Sequence, residues 1–172
     1  LPERITTAQY AEKVAPPELE LQEYTKKSLP VHAKAFIESI RSLPVPDQVK
    51  QIEAYSKKFG FYDFDNGEVR DEKSRYADMK SQFAFMQERL VELSLTEDTA
   101  GKLYAGVCTD FQALTSAMLM ANGIKTSVGA GYLVDGTEIK NTDSHVVSLV
   151  DLPTQDGTVG RFEVDGTPVA GT

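Results

Sequence analysis

The sequence predicts an α+β fold in which helices come first, then one buried helix, then an antiparallel sheet. Apolar residues recur with helical periodicity through the first half of the chain, and prolines stand at the breaks. Segment 109–121 is apolar nearly all round, which is typical of a helix with neighbours on every side. Three strand-like runs separated by turn residues follow it. Because the helices precede the strands instead of alternating with them, the order is that of an α+β protein.

Helix-breaking residues and turn dipeptides set the boundaries of these elements. Pro30 and Pro44 separate the first helices, Gly60 ends the third, and Asn122-Gly123 is a C-cap signal. The predicted helices are 17–27, 31–41, 47–58 (capped by Asp47), 74–93 and 109–121. The predicted strands are 124–134, 145–152 and 160–165, with 61–64 as a short strand or extended loop and 101–107 as a loop.

Composition limits the size of the protein and its partners. The 172 residues are 41% hydrophobic, which suits one compact domain. The net charge is −8 and there is no basic stripe, so nothing favours nucleic acid. No apolar run approaches the roughly 20 residues that span a bilayer. We expect an N-terminal arm over 1–20 and a monomeric domain over 21–172, and both ends look cut, as in a domain of a larger protein.

Cys108 is the one cysteine of the chain, so no internal disulfide forms within it. It stands where loop 101–107 becomes helix 109–121. The first N–H groups of a helix lack internal partners and the dipole is positive there, so a thiolate is favoured and its pKa is lowered. The backbone N–H of Cys108 would also support an oxyanion, and Gly106 would let a substrate backbone approach. Thr109 and Asp110 are of types expected as caps.

His145 and Asp165 are the residues that would complete a nucleophilic site around this thiol. His145 begins a predicted strand, where it can take the thiol proton and later return a proton to a leaving amine. Asp165 ends the next strand, in which Phe162 and Val164 alternate inward. A carboxylate at that place can hold the imidazole in one tautomer, which is the orienting role of a catalytic triad.

These residues stand in a longer pattern that resembles the core of the transglutaminase-like superfamily. The pattern consists of Gly106-Val-Cys-Thr-Asp-Phe111, Ala113-Leu114, Met118-Leu119, Asn122-Gly-Ile124, Gly129, Gly131-Tyr132, Ser144-His145-Val-Val and Phe162-Glu-Val-Asp165-Gly-Thr167-Pro168. The resemblance covers about residues 20–168. It implies a bacterial member of the superfamily, with a papain-like fold and a Cys–His–Asp triad. Cys108, His145 and Asp165 fall on the three motif positions.

Two positions depart from the pattern of the superfamily. Its members often carry Trp two residues after the histidine and Trp before the aspartate, where this chain has Val147 and Phe162, and the chain has no Trp at all. These aromatic residues line the substrate cleft in relatives. The departures therefore bear on the substrate more than on the chemistry.

Several other residues are candidates with competing interpretations. Asp143 or Asp151 can replace Asp165 as the orienting carboxylate, since an aspartate before Gly-Thr-Pro is often a turn residue. Tyr104 would donate its hydroxyl to an oxyanion, or pack as an ordinary aromatic residue. Gln82 is a further candidate, and His32 is expected to be structural or exposed. Segment 63–67 resembles a calcium loop but fails the EF-hand spacing, so a turn is predicted there.

The pattern predicts cysteine-dependent acyl transfer on peptide or glutamine amides through a thioester of Cys108. Water as the acceptor gives a peptidase or amidase and an amine gives cross-linking; hydrolysis is favoured because nothing suggests a dedicated lysine site. The alternative class is a non-catalytic peptide-binding module, which the missing tryptophans favour and the intact triad disfavours. We expect a peptide or protein substrate, no cofactor and no metal, with the extracellular or cell-envelope side of a bacterium favoured over the cytoplasm.

Overall fold

A computed structural model describes residues 5–63, 101–135 and 138–168, and it describes only the backbone at positions 7, 8, 130, 132–135 and 138–144. The predicted helix 74–93, Gln82 on it, and residues 65–67 of the predicted turn lie outside the described residues. The side chain of Asp143 does so as well.

The order of elements in the described ranges confirms the predicted α+β class. The helices are α1 (Thr7–Lys13), α2 (Leu19–Ser28), α3 (Val31–Ile40), α4 (Val45–Phe59) and α5 (Cys108–Ala121). The strands are β1 (Gly60–Tyr62), β2 (Tyr104–Gly106), β3 (Thr126–Asp135), β4 (Glu138–Pro153) and β5 (Val159–Val164). None of these five helices has the length and apolar character needed to cross a membrane.

The three C-terminal strands form an antiparallel meander in the order β3-β4-β5, as predicted, but β4 begins at Glu138 and not at His145. β4 is central: its residue Ser148 pairs with Val128 of β3 and with Val164 of β5. A second, two-stranded sheet pairs β1 with β2 in parallel. The prediction of a loop over 101–107 is therefore wrong at residues 104–106. A three-residue strand gains its hydrogen bonds from a partner distant in sequence, so it leaves no local periodicity.

The start of α4 differs from the predicted one. The helix begins at Val45, and Asp47 lies in its first turn instead of capping it. Pro44 occupies the cap position in an extended conformation, and Pro46 follows inside the first turn. A proline is tolerated there because its missing N–H would have no partner within the helix. Pro44, which was expected only to separate helices, thus forms the cap of one.

Residues near the N-terminus belong to the same hydrophobic core as the sheet. Ile5, Tyr10 and Val14 are buried in that core. The hydroxyl of Tyr10 accepts a hydrogen bond from the backbone N–H of Lys125 at 3.0 Å, and burial raises the pKa of Tyr10 to about 12. The boundary between arm and domain at residue 20 stays a prediction.

Helix α5 lies at the centre of the fold and is buried along its whole length after Cys108. Helices α2, α3 and α4 contact it, and so do strands β3 and β4. This confirms the prediction of a buried helix. Its polar side chains are accommodated by hydrogen bonds: Ser116 Oγ lies 2.8 Å from Ser148 Oγ of β4, and Gln112 Nε2 donates to Ser116 Oγ at 2.8 Å. These contacts set where the helix crosses the strand.

Truncating the centre of α5 should destabilise the whole domain. Leu114 is fully buried, so Leu114→Ala leaves a cavity and is expected to lower the free energy of unfolding by about 2–5 kcal/mol. Urea unfolding followed by circular dichroism measures this. Leu19→Ala on α2 is the matched control, because Leu19 is 77% exposed and its truncation should change little. Equal effects of the two substitutions would contradict the central place of α5.

Candidate active site

Cys108 is the first residue of α5, one position earlier than predicted. Val107 occupies the N-cap position, and the backbone N–H of Val107 donates to Asp110 Oδ2 at 2.9 Å. Asp110 thus acts from the third helical position, as the acidic residue of a capping box does, and neither it nor Thr109 is the cap. Cys108 is partly exposed while every later residue of the helix is buried. The thiol therefore lies at the accessible end of an otherwise buried helix.

Gly106 is required for the geometry of this helix start. A Cβ on Gly106 would lie 2.5 Å from Oδ2 of Asp110 and 2.6 Å from its Cβ. No side chain larger than hydrogen fits beside that carboxylate. A close approach at Gly106 is thus made by Asp110, a residue of this chain.

His145 and Asp165 lie against each other. Nε2 of His145 is 2.8 Å from Oδ2 of Asp165, and both side chains are partly buried, with exposures of 20% and 33%. The β4–β5 ladder explains the contact: Ser148 pairs with Val164, so continuing the ladder by one pair sets Asp165 opposite Val147. His145 is then the diagonal neighbour of Asp165, within reach of a long side chain.

Asp165 is held at three points, two on its carboxylate and one on its backbone. Oδ2 meets His145, Oδ1 accepts the backbone N–H of Thr167 at 3.0 Å, and its own backbone N–H donates to Oε2 of Glu53 at 2.9 Å. Burial opposes ionisation of Asp165, but the hydrogen bonds from His145 and Thr167 outweigh it, so the pKa of Asp165 is lowered. The group is therefore an anion beside the imidazole at neutral pH.

Strand alternation places this pair relative to α5. Phe162 and Val164 turn inward while Arg161 and Glu163, which alternate with them, are exposed, as predicted for β5. Ser148 faces α5. His145 is three positions earlier on the same strand, so strand alternation puts it, together with Asp165, on the opposite face from Ser148. The structure therefore brings His145 and Asp165 together on the sheet. Cys108 lies on a different element, the helix docked on that strand through Ser148.

Asp151, the alternative orienting carboxylate, and Tyr104, the candidate oxyanion donor, both have other contacts. Asp151 accepts a hydrogen bond from Nε of Arg161 at 3.0 Å, across the β4–β5 ladder. The hydroxyl of Tyr104 lies 2.5 Å from that of Tyr55, which lies 2.7 Å from Nδ1 of His32. Burial raises the pKa of Tyr104, and its neutral hydroxyl is engaged inside the helical layer. These contacts favour the packing interpretation of Tyr104. His32 is exposed and stacks on Tyr55.

The loop that carries Asp165 docks on two helices through a glycine. A Cβ on Gly166 would lie 2.6 Å from Oγ of Ser56 on α4 and would meet the hydroxyl of Thr115 on α5. Only a glycine lets the backbone come this close. Sequence reasoning assigned no role to Ser56 or to Glu53, because both reach this loop from a helix about a hundred residues away, and no local pattern encodes such a contact.

Part of the chain matches a known protein family. Residues 61–155 match the family described as Transglutaminase-like domain, and this range is more than half of the chain. The chain therefore belongs to the transglutaminase-like domain family. The matched range contains Cys108 and His145 and ends before Asp165. No curated protein and no solved structure was found to match the chain.

Enlarging Gly166 should disturb the site from its supporting side. Gly166→Ala forces Ser56 and Thr115 apart, so we expect a loss of about 1–3 kcal/mol in the free energy of unfolding. Urea unfolding measures this loss. Gly131→Ala is the matched control, because a Cβ on Gly131 meets nothing within 4 Å. If Gly166→Ala is as stable as Gly131→Ala, the loop is not held as described.

The lowered pKa of Asp165 predicts how stability depends on pH. Its ionised form stabilises the folded state above the ordinary carboxyl pKa of about 3.9, and this contribution is lost as the pH falls through the lower folded-state pKa. Asp165→Asn should therefore lose most stability near pH 7, and its difference from wild type should shrink below about pH 4. Thermal unfolding across that range measures this, with Glu12→Gln as the control for loss of one exposed carboxylate. A constant difference from pH 7 to pH 3 would refute the assignment.

Proposed function

We propose that this protein is a cysteine-dependent acyl-transfer enzyme that hydrolyses peptide or glutamine amides through a thioester of Cys108. The observation that carries the proposal is the 2.8 Å contact between His145 and Asp165 in a chain whose one cysteine begins a buried helix. Membership of the transglutaminase-like domain family supports it. We assign Cys108 as the nucleophile, His145 as the general base and acid, and Asp165 as the residue that orients the imidazole.

The contact with Asp165 assigns a role to each nitrogen of His145. With Nε2–H donating to Oδ2 of Asp165, the neutral imidazole presents Nδ1 as its basic nitrogen. Nδ1 accepts the proton of Cys108 Sγ as the sulfur attacks the amide carbon. The resulting imidazolium is stabilised by the anionic Asp165 beside it.

The first half of the reaction ends with a thioester. The carbonyl π bond opens to an oxyanion, which the backbone N–H of Cys108 at the positive end of α5 stabilises. The oxyanion then re-forms the carbonyl, the C–N bond breaks, and the imidazolium gives its proton to the departing amine. Cys108 Sγ is left bonded to the acyl carbon, and His145 is neutral again.

The second half transfers the acyl group to an acceptor. For water, His145 takes one proton as the oxygen attacks the thioester. The C–S bond then breaks and the imidazolium returns that proton to the sulfur, which releases a carboxylic acid and restores the thiol. An amine acceptor would follow the same steps and give a cross-link. We favour water, since no lysine site is indicated by the sequence.

The second candidate function is that of a non-catalytic peptide-binding domain. Strand alternation is the observation that favours it. Ser148 faces α5, the helix of Cys108, whereas alternation puts His145 on the opposite face of the strand. In that case the His145–Asp165 pair serves only to join β4 to β5. The two functions differ in what they predict for the thiol.

The reactivity of Cys108 decides between them. If the thiol is activated, iodoacetamide should alkylate it well below pH 8, because the thiolate persists there. His145→Ala should move the pH profile towards that of a free thiol, near pKa 8.5, and slow alkylation at pH 6.5 by about tenfold or more. His32→Ala is the matched control, since His32 is the other histidine of the chain. Slow alkylation that His145→Ala leaves unchanged would refute the enzyme and favour the binding domain.

A further inference from the structure

We propose that Glu53 is a positioning residue for the His145–Asp165 pair: its carboxylate accepts the backbone N–H of Asp165 and holds the end of β5 beside β4. The catalytic meaning of this assignment rests on the proposed function. The positioning itself is a statement about geometry. Glu53 is on α4, 112 residues before Asp165 in the sequence. None of the reaction steps assigned above uses it.

The two oxygens of Glu53 have different partners. Oε2 accepts the N–H of Asp165 at 2.9 Å, and Oε1 lies 3.9 Å from Nζ of Lys57, one turn along the same helix. The Glu53 side chain is only 37% exposed. A hydrogen bond from a neutral backbone donor to a carboxylate is among the stronger kinds, so this contact ties α4 firmly to the strand end.

The position of Asp165 just beyond the strand ladder explains why this contact can fix its place. Asp165 follows the last residue of β5, where the ladder with β4 has ended, so its backbone N–H has no strand to donate to within that ladder. Glu53 replaces the missing strand acceptor. Because the N–H and the carboxylate belong to one residue, fixing the backbone also fixes where Oδ2 meets His145.

Helix α4 contacts the following residue as well. Ser56 is three positions after Glu53 and therefore on the same face of the helix. Its Oγ would lie 2.6 Å from a Cβ on Gly166. Glu53 thus attracts the loop by a hydrogen bond while Ser56 limits its approach by contact. The two together fix the distance of residues 165 and 166 from α4.

The role assigned to Glu53 needs an acceptor oxygen at the right place, and the charge only strengthens the hydrogen bond to that oxygen. Glu53→Gln keeps an oxygen at that place, Glu53→Asp keeps the charge but draws the oxygen back by one methylene, and Glu53→Ala removes both. This order separates positioning from electrostatics. Lys57→Ala is the matched control, because it removes the other partner of Glu53 and leaves the contact with Asp165.

Two readouts on the full chain test the proposal. The first is the proton NMR signal of the His145 ring N–H, assigned by its loss in His145→Ala, which reports the hydrogen bond to Asp165 without any need for activity. The second is alkylation of Cys108 at pH 6.5. We expect Glu53→Ala and Glu53→Asp to lose the signal through faster exchange and to slow alkylation about tenfold, since a displacement of roughly 1 Å has effects of that order or more. Glu53→Gln and Lys57→Ala should stay within about threefold of wild type.

The outcomes separate this proposal from the proposed function. If the wild-type thiol alkylates slowly, the enzyme is refuted while the ring N–H signal still decides the positioning role. If Glu53→Ala keeps the signal, or if Glu53→Gln loses it as fully as Glu53→Ala does, the positioning role is overturned. If Glu53→Ala fails to fold, Glu53→Asp and Glu53→Gln decide: retention of the signal in both overturns the proposal, and loss in Glu53→Asp alone supports it.

Discussion

The burial of α5 is the constraint on which the rest of the described structure depends. A helix surrounded on all sides needs neighbours for every face, so α2, α3 and α4 contact it together with β3 and β4. An apolar helix could slide or rotate among such neighbours. The contact between Ser116 and Ser148 removes that freedom, because a buried hydroxyl that loses its partner costs about 1–3 kcal/mol. This contact thus joins the helix that carries Cys108 to the strand that carries His145 at a defined position.

The candidate site combines a part of the sheet with supports from the helical layer. His145 and Asp165 meet as diagonal neighbours on adjacent strands, a geometry that the β4–β5 ladder provides without any special device. Asp165, however, lies just beyond the ladder, where strand pairing no longer holds the backbone. Glu53 and Gly166 supply the missing constraints, one by accepting a hydrogen bond and the other by allowing contact with α4 and α5.

Sequence patterns predicted much of this architecture, and the failures have a common cause. The stretch before Asn122 is predicted to be buried because it is apolar nearly all round, and the whole helix after Cys108 is buried. The meander followed from alternating residues between turn signals. By contrast, the pattern makes Pro44 a break between helices, whereas it is the cap residue of α4, and it makes residues 104–106 part of a loop, whereas they form β2. In each case the deciding factor was a neighbour or a backbone geometry that the local pattern of apolar residues does not express.

The sequence by itself determined the class of the fold, the family, and the three residues expected to carry the chemistry. It could do so because residue type, spacing and position relative to helix and strand ends are local properties. Only the tertiary structure decided that His145 contacts Asp165, that Asp151 pairs with Arg161, and that Tyr104 turns its hydroxyl into the helical layer. The support that Glu53 gives Asp165 also appears only there. Such contacts join residues far apart in the chain, and packing brings them together without leaving a mark on the sequence around either partner.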